Sequence, residues 1–199
     1  MDKLKQIIKR NKKSIIFLFI LTIIALITGS LFGVILNDAD KQIVQESINQ
    51  FLTNSNKLNY IGALKTGTIN QTIFIIIIWL LGFSIIGIPI ILFSFFLKVF
   101  VLGFSITSLI TIKGTRGCLI ALAYIFPHHV LNIVNYTFLT IISLKVSFSL
   151  LYAIIKRKKI DFKPIINKYL LSLLISLILG LIAVLLEVYL MPFLIQFFY

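Results

Sequence analysis

A pair of histidines can hold a metal, relay protons or bond to its neighbours, and this chain contains one such pair. His128 and His129, its only histidines, follow Pro127 in LAYIFPHHVLNIVNYTFL, residues 122–139. Asn132, Asn135 and Tyr136 stand one to two helical turns further on. Adjacent helical residues point about 100° apart, so the pair chelates a metal poorly, and a zinc enzyme needs a third ligand besides an open position. There is no third histidine, and Cys118 is the only cysteine. That excludes an internal disulfide and a cysteine-based zinc centre. Two readings remain open. In one, a histidine donates to a backbone carbonyl freed by Pro127 while the other faces a helix bundle, with Asn132, Asn135 and Tyr136 as polar glue. In the other, the pair belongs to a proton or ion pathway.

The remaining candidates for chemistry are scattered. Lys98 and Glu187 lie within long apolar runs, where ionisable groups are expensive and therefore candidates for function. Glu187 suits either a hydrated position at a membrane interface or a contact to a partner helix, to Lys98, to Lys113 or to Lys145. Glycan hydrolysis needs two carboxylates roughly 5–10 Å apart. Asp38 and Asp40 are near each other, but they occupy a hydrophilic stretch where acids are solvated. No catalytic set, no metal site and no cofactor is expected, so the chain reads as a non-enzyme.

These residues must be positioned by apolar helices. Hydrophobic residues make up 59% of the chain and charged residues 13%, and the mean hydropathy is +1.08. A soluble domain is about a quarter charged, so this chain has too few charges to cover a water-exposed surface. It is an integral membrane protein. The net charge of +13 suggests nucleic acid only until its placement is read. Six basic residues and one acid lie in residues 1–13, and again in 156–168. Both groups sit at the ends of apolar runs, the pattern of cytoplasmic retention, and they suit anionic lipid headgroups. No nucleic-acid partner is expected.

Along the chain, Ser14–Leu36 is a 23-residue charge-free run, longer than a signal-peptide core, and reads as an uncleaved spanning helix. Gly29 and Gly33 form a GxxxG where another helix could come close. Residues 37–70 hold three acids and three lysines and read as a neutral external loop. Val44, Ile48, Phe51 and Leu52 recur there at helical spacing, so a short amphipathic helix on the membrane and a plain connector are both open. Residues 71–112 divide at Gly87 and Pro89 into helices near 70–87 and 89–112, as two spans or a re-entrant hairpin. KGTRG, residues 113–117, is a turn. Residues 118–155 form a long helix broken at Pro127, 156–163 a cytoplasmic basic loop, and Ile165–Leu190 the last span. Trp79 reads as an ordinary packing residue. The fold class is all-α, a polytopic transmembrane bundle of about five spans in one domain covering 1–199, with a cytoplasmic N-terminus and an external C-terminus.

Within that layout, WLLGFSIIGIPIILFSFFLKVFVLGFSITSLI, residues 79–110, joins a Trp-x-x-Gly helix ending at Gly82 to an Ile-Gly-x-Pro break at Gly87 and Pro89. Leu-Lys and Gly-Phe follow, the latter at Gly103. LEVYLMPFL, residues 186–194, carries Glu-x-Tyr-x-x-Pro through Glu187, Tyr189 and Pro192. With these motifs the chain resembles the stage II sporulation protein M family of endospore-forming bacteria over nearly its whole length. In wider relatives the proline segment often reads Pro-His-Gly with an acid three residues on, whereas Asn132 stands there here. The resemblance implies a membrane anchor or scaffold of the engulfment machinery. Such a scaffold holds two peptidoglycan-degrading partners, stage II sporulation proteins D and P, at the mother-cell septal membrane. A small permease or channel subunit is the alternative, motivated by Lys98, Lys145, Glu187 and the histidine pair.

Overall fold

The computed structural model describes residues 2–54, 60–125, 128–157, 162–190 and 193–194. Six α-helices follow one another, and no strand occurs among the described residues. They are α1 (Asp2–Ile35), α2 (Asp38–Asn54), α3 (Tyr60–Leu81), α4 (Gly87–Ile125), α5 (His128–Lys156) and α6 (Phe162–Leu185). A wider π-helical turn, Leu186–Leu190, extends α6. Five helical segments are long and apolar enough to cross a membrane: Lys12–Ile35, Tyr60–Leu81, Gly87–Leu122, His128–Lys156 and Pro164–Leu190. The bundle turns large apolar side chains outward, with Phe19 64% and Leu174 57% exposed. Water would penalise such a surface, and lipid tails do not. The chain is a multi-pass membrane protein of helical bundle class.

Local sequence explains most of the boundaries. Asn37 caps α2: its Oδ1 accepts from the Asp40 amide at 2.8 Å, and its carbonyl accepts from the Lys41 amide at 3.0 Å. Asp38 and Asp40 then occupy the first turn, where carboxylates suit the positive end of the helix dipole. The α3–α4 break falls at residues 82–86, earlier than the expected division. Gly87 is the first residue of α4 and Pro89 lies in its first turn, a position that favours helix initiation. A Cβ on Gly87 would run into the Leu81 carbonyl, so the tight turn requires glycine.

KGTRG is a turn as expected. Gly114 has φ 60° and ψ −136°, a conformation open to glycine and strained for other residues. The chain folds back there, because Ile120 and Ala121 pack on Leu109 and a Cβ on Gly117 would strike the Leu109 carbonyl. The part of α4 before this reversal runs from Gly87 to Lys113, about 40 Å at 1.5 Å per residue, enough for a hydrocarbon core of about 30 Å. Length and composition thus support two crossings over 71–112. Segment 37–70 is mostly helical rather than a loop: α2 fills 38–54, and residues 60–70 belong to α3. Pro127, Pro192, residues 158–161 of the basic loop 156–163 and the tail beyond Leu194 fall outside the described residues.

Contacts fix the relative directions. Gly29 lies against Phe100, Gly103 against Leu26, and Gly33 against Thr107, so α1 and α4 run parallel. The Ser30 hydroxyl donates to the Gly103 carbonyl at 3.4 Å in the same seam. The GxxxG of α1 is therefore a close helix contact, as small residues permit. α6 runs antiparallel to α3, with Tyr60 stacked on Tyr189 at 5.7 Å near one end and Trp79 on Tyr169 at 5.1 Å near the other.

Candidate functional site

Polar side chains collect in the seam between α3, α4, α5 and α6. Gln71 joins two helices: its Nε2 donates to Asn132 Oδ1 at 2.8 Å, and its Oε1 accepts from the Tyr136 hydroxyl at 2.6 Å. Asn132 and Tyr136 share a face of α5 because they are four residues apart. In lipid, an amide left without partners costs several kcal/mol by order of magnitude, so these contacts fix the register of α3 against α5. One turn deeper, Asn135 pairs with Ser176 of α6. The Ser176 hydroxyl donates to Asn135 Oδ1 at 2.6 Å, while Asn135 Nδ2 donates to the Ser176 carbonyl at 3.0 Å.

A cavity of about 240 Å³ opens beside Gln71, and Lys98, His129, Asn132, Tyr136 and Glu187 also line it. Lys98 and Glu187 come from different helices, α4 and the π turn after α6. Both side chains line the same space. The Lys98 Nζ lies 4.6 Å from the centroid of the Phe74 ring, within cation–π range. Glu187 therefore faces the bundle and shares this cavity with Lys98.

The structure thus brings together the ionisable candidates that the sequence separates. His128 is buried at 1% exposure, and its ring centroid lies 4.1 Å from that of His129. The rings meet despite the angular offset of neighbouring helical residues, at the first residues of α5. His129 reaches the cavity and His128 packs behind it. Among the described residues, no three His, Cys, Asp or Glu side chains gather to hold a metal. Asp38 is 99% exposed in its side chain and lies 3.7 Å from Lys41, so it is a surface acid at a helix start.

The motif residues have structural roles. Trp79 Nε1 donates to the Tyr169 carbonyl at 3.1 Å, and a Cβ on Gly82 would occupy the space of the Tyr169 hydroxyl. Gly82 also presents its carbonyl to the Ser147 hydroxyl at 2.9 Å. Trp79 is thus a hydrogen-bonded anchor rather than plain packing. Gly103 admits the α1 backbone at Leu26. Tyr189 is 54% exposed and stacks on Tyr60. The residues that the sequence reading missed are Gln71, Ser143, Tyr169 and Ser176. Ser143, Tyr169 and Ser176 share one signal, a polar group in an apolar helix, whereas Gln71 adjoins a hydrophilic stretch.

Outside this seam, α2 is clamped to the end of α4. Lys113 Nζ donates to Asn49 Oδ1 at 2.8 Å, and Ile48 packs on the cluster of Leu109, Ile120 and Ala121. Val44 and Ile48 line a groove of about 320 Å³ with Phe104 and Leu109. The segment is thus a helix with Val44 and Ile48 on one face, and that face is turned to α4. The side chains of Phe51 and Leu52 are outside the described set.

A family model described as stage II sporulation protein M matches residues 4–192. No curated protein and no solved structure gives a match.

Proposed function

This chain belongs to the stage II sporulation protein M family, a sporulation-related membrane protein, and from that premise we propose that it is a non-catalytic scaffold. It recruits peptidoglycan-degrading enzymes, stage II sporulation proteins D and P, to the septal membrane for engulfment. The observation that carries this reading is the clamped α2. Its inner face is held by Asn49 and Ile48, while Asp40, Gln42, Ile43, Glu46 and Ser47 stay exposed. A rigid polar helix beside a bundle that is otherwise clad in apolar side chains is a ready docking platform. Preorganisation lowers the ordering cost of binding.

The basic ends support the orientation. α1 runs parallel to α4 and α5 runs against it, so Lys12 and Lys13 share one end of the bundle with Lys156 and Arg157. By the positive-inside pattern that end is cytoplasmic and contacts anionic headgroups. α2 then lies on the external side, where the cell wall is.

The test is capture of the two enzymes by detergent-solubilised protein, with and without the paired changes Gln42→Ala and Glu46→Lys on the outer face of α2. The wild type retains both enzymes, and the variant loses at least about tenfold in affinity, about 1.4 kcal/mol. Muropeptide release by this chain alone would overturn the reading. The permease or channel alternative draws on the polar cavity. It requires solute or ion flux in liposomes that His128→Ala with His129→Ala abolishes.

A further inference from the structure

The cavity between α3, α4, α5 and the end of α6 is not explained by a docking role. Packing alone would close it, since interiors leave few voids larger than a water molecule. Instead about 240 Å³ stays open, less than the 300–1,000 Å³ or so of drug-sized pockets and ample for one small solute. Its charges are arranged for a particular class of guest. Lys98 of α4 and Glu187 of the π turn both line the cavity, and no ion pair joins the two. Two opposite charges held apart within a membrane lose Coulomb energy and keep their desolvation cost, so the gap is favourable only when something bridges it.

A backbone feature lies at the same place. At Glu187 the helix widens into a π turn, an irregularity frequent at functional sites. Helices that become irregular at a polar cavity are one way membrane proteins hold charged solutes away from water.

We propose that this cavity binds a small zwitterion, with its carboxylate at Lys98 and its ammonium at Glu187. Gln71, Asn132 and the Tyr136 hydroxyl supply polar edges around the guest. The Phe74 ring under Lys98 holds the ammonium in place, so the anion site is preformed. This site is independent of any partner held at α2, and its occupancy links a small solute to the packing of four helices.

The experiment is thermal unfolding of the purified chain in detergent. The probes are glycine, β-alanine, 4-aminobutanoate and 6-aminohexanoate, which separate the two charges progressively. One of them raises Tm by about 2 °C or more in a saturable way, whereas acetate, butanoate and butylamine do not. Lys98→Met and Glu187→Gln each remove the shift. Should a variant fail to fold, the wild type carries the test. Converting the active probe to its methyl ester, or acetylating its amine, must each abolish the effect. No saturable shift from any of the four, or equal shifts from singly charged compounds, overturns the proposal.

Discussion

Trp79 and Tyr169 hydrogen-bond to each other twice, each ring group donating to the other residue's backbone. The indole Nε1 reaches the Tyr169 carbonyl at 3.1 Å, and the phenol reaches the Trp79 carbonyl at 2.6 Å. Their rings stack at 5.1 Å, and Phe83 meets Tyr169 edge-on at the same separation. Ser143 of α5 bonds the same hydroxyl at 2.8 Å. One buried tyrosine therefore ties α3, α5 and α6 together at the end of the bundle opposite α2.

Tyr169→Phe removes the hydroxyl while leaving the stack in place. It strands the Ser143 hydroxyl and leaves the Trp79 carbonyl only the Gly82 amide at 3.2 Å, at a cost of about 1–2 kcal/mol. Gly82→Ala places a methyl group where the hydroxyl sits and costs more, about 2–3 kcal/mol, because Tyr169 must move and its bonds go with it. Chemical unfolding in mixed micelles, followed by Trp79 fluorescence, measures both. Equal stability for Gly82→Ala and the wild type would refute the close approach.

The two glycines of the α1 GxxxG are unequal. A Cβ on Gly29 collides with the Phe100 backbone, which cannot yield, whereas one on Gly33 meets the Thr107 side chain at 3.2 Å. Gly29→Ala therefore separates α1 from α4 and costs about 1–3 kcal/mol, and Gly33→Ala costs less than about 1 kcal/mol. Denaturation midpoints for the two single variants decide the matter. The order Gly33→Ala worse than Gly29→Ala would be wrong for this packing.

The spans were legible because apolar run length reports on the solvent directly, and the basic ends because charge stays out of lipid. Register was not. Lys98, His129 and Glu187 are isolated polar residues on separate helices, and nothing local tells which of them meet. Gln71 hid for a different reason: it adjoins a hydrophilic stretch, so its amide looked like loop composition although it bonds inside the bundle. Gly87 and Pro89 signalled a break correctly, but as the start of α4. A proline in a first helical turn and a proline that interrupts a helix look alike in one sequence.

Gln71 is the shared partner of Asn132 and Tyr136, so its removal is not additive with theirs. Gln71→Leu costs about 1–2 kcal/mol, and Asn132→Leu about 1 kcal/mol. The double variant costs less than the two together, by a coupling of about 0.6 kcal/mol, typical for a hydrogen bond between membrane helices. A double-mutant cycle on unfolding free energies measures it. Strict additivity would mean that the 2.8 Å contact carries no energy.

Orientation can be read with one chemical probe. Cys118 is exposed and must first be changed to serine, after which single cysteines replace Lys13, Gln45, Arg116 and Arg157. Gln45 lies on α2, and Arg116 follows the Gly114 turn whose Lys113 bonds Asn49, so these two positions occupy the same end. Lys13 and Arg157 lie at the other, by the parallel run of α1 with α4 and the reversed run of α5. An impermeant maleimide added to intact cells modifies residues 45 and 116, and reaches 13 and 157 only after permeabilisation. The sign follows from charge: about 1 kcal/mol per basic residue holds the Lys12, Lys13, Lys156 and Arg157 end against the anionic cytoplasmic leaflet. Labelling of 116 and 157 from one side would break the bundle's count of crossings. Labelling of 13 and 157 alone would keep the fold and turn it over, placing α2 away from the wall.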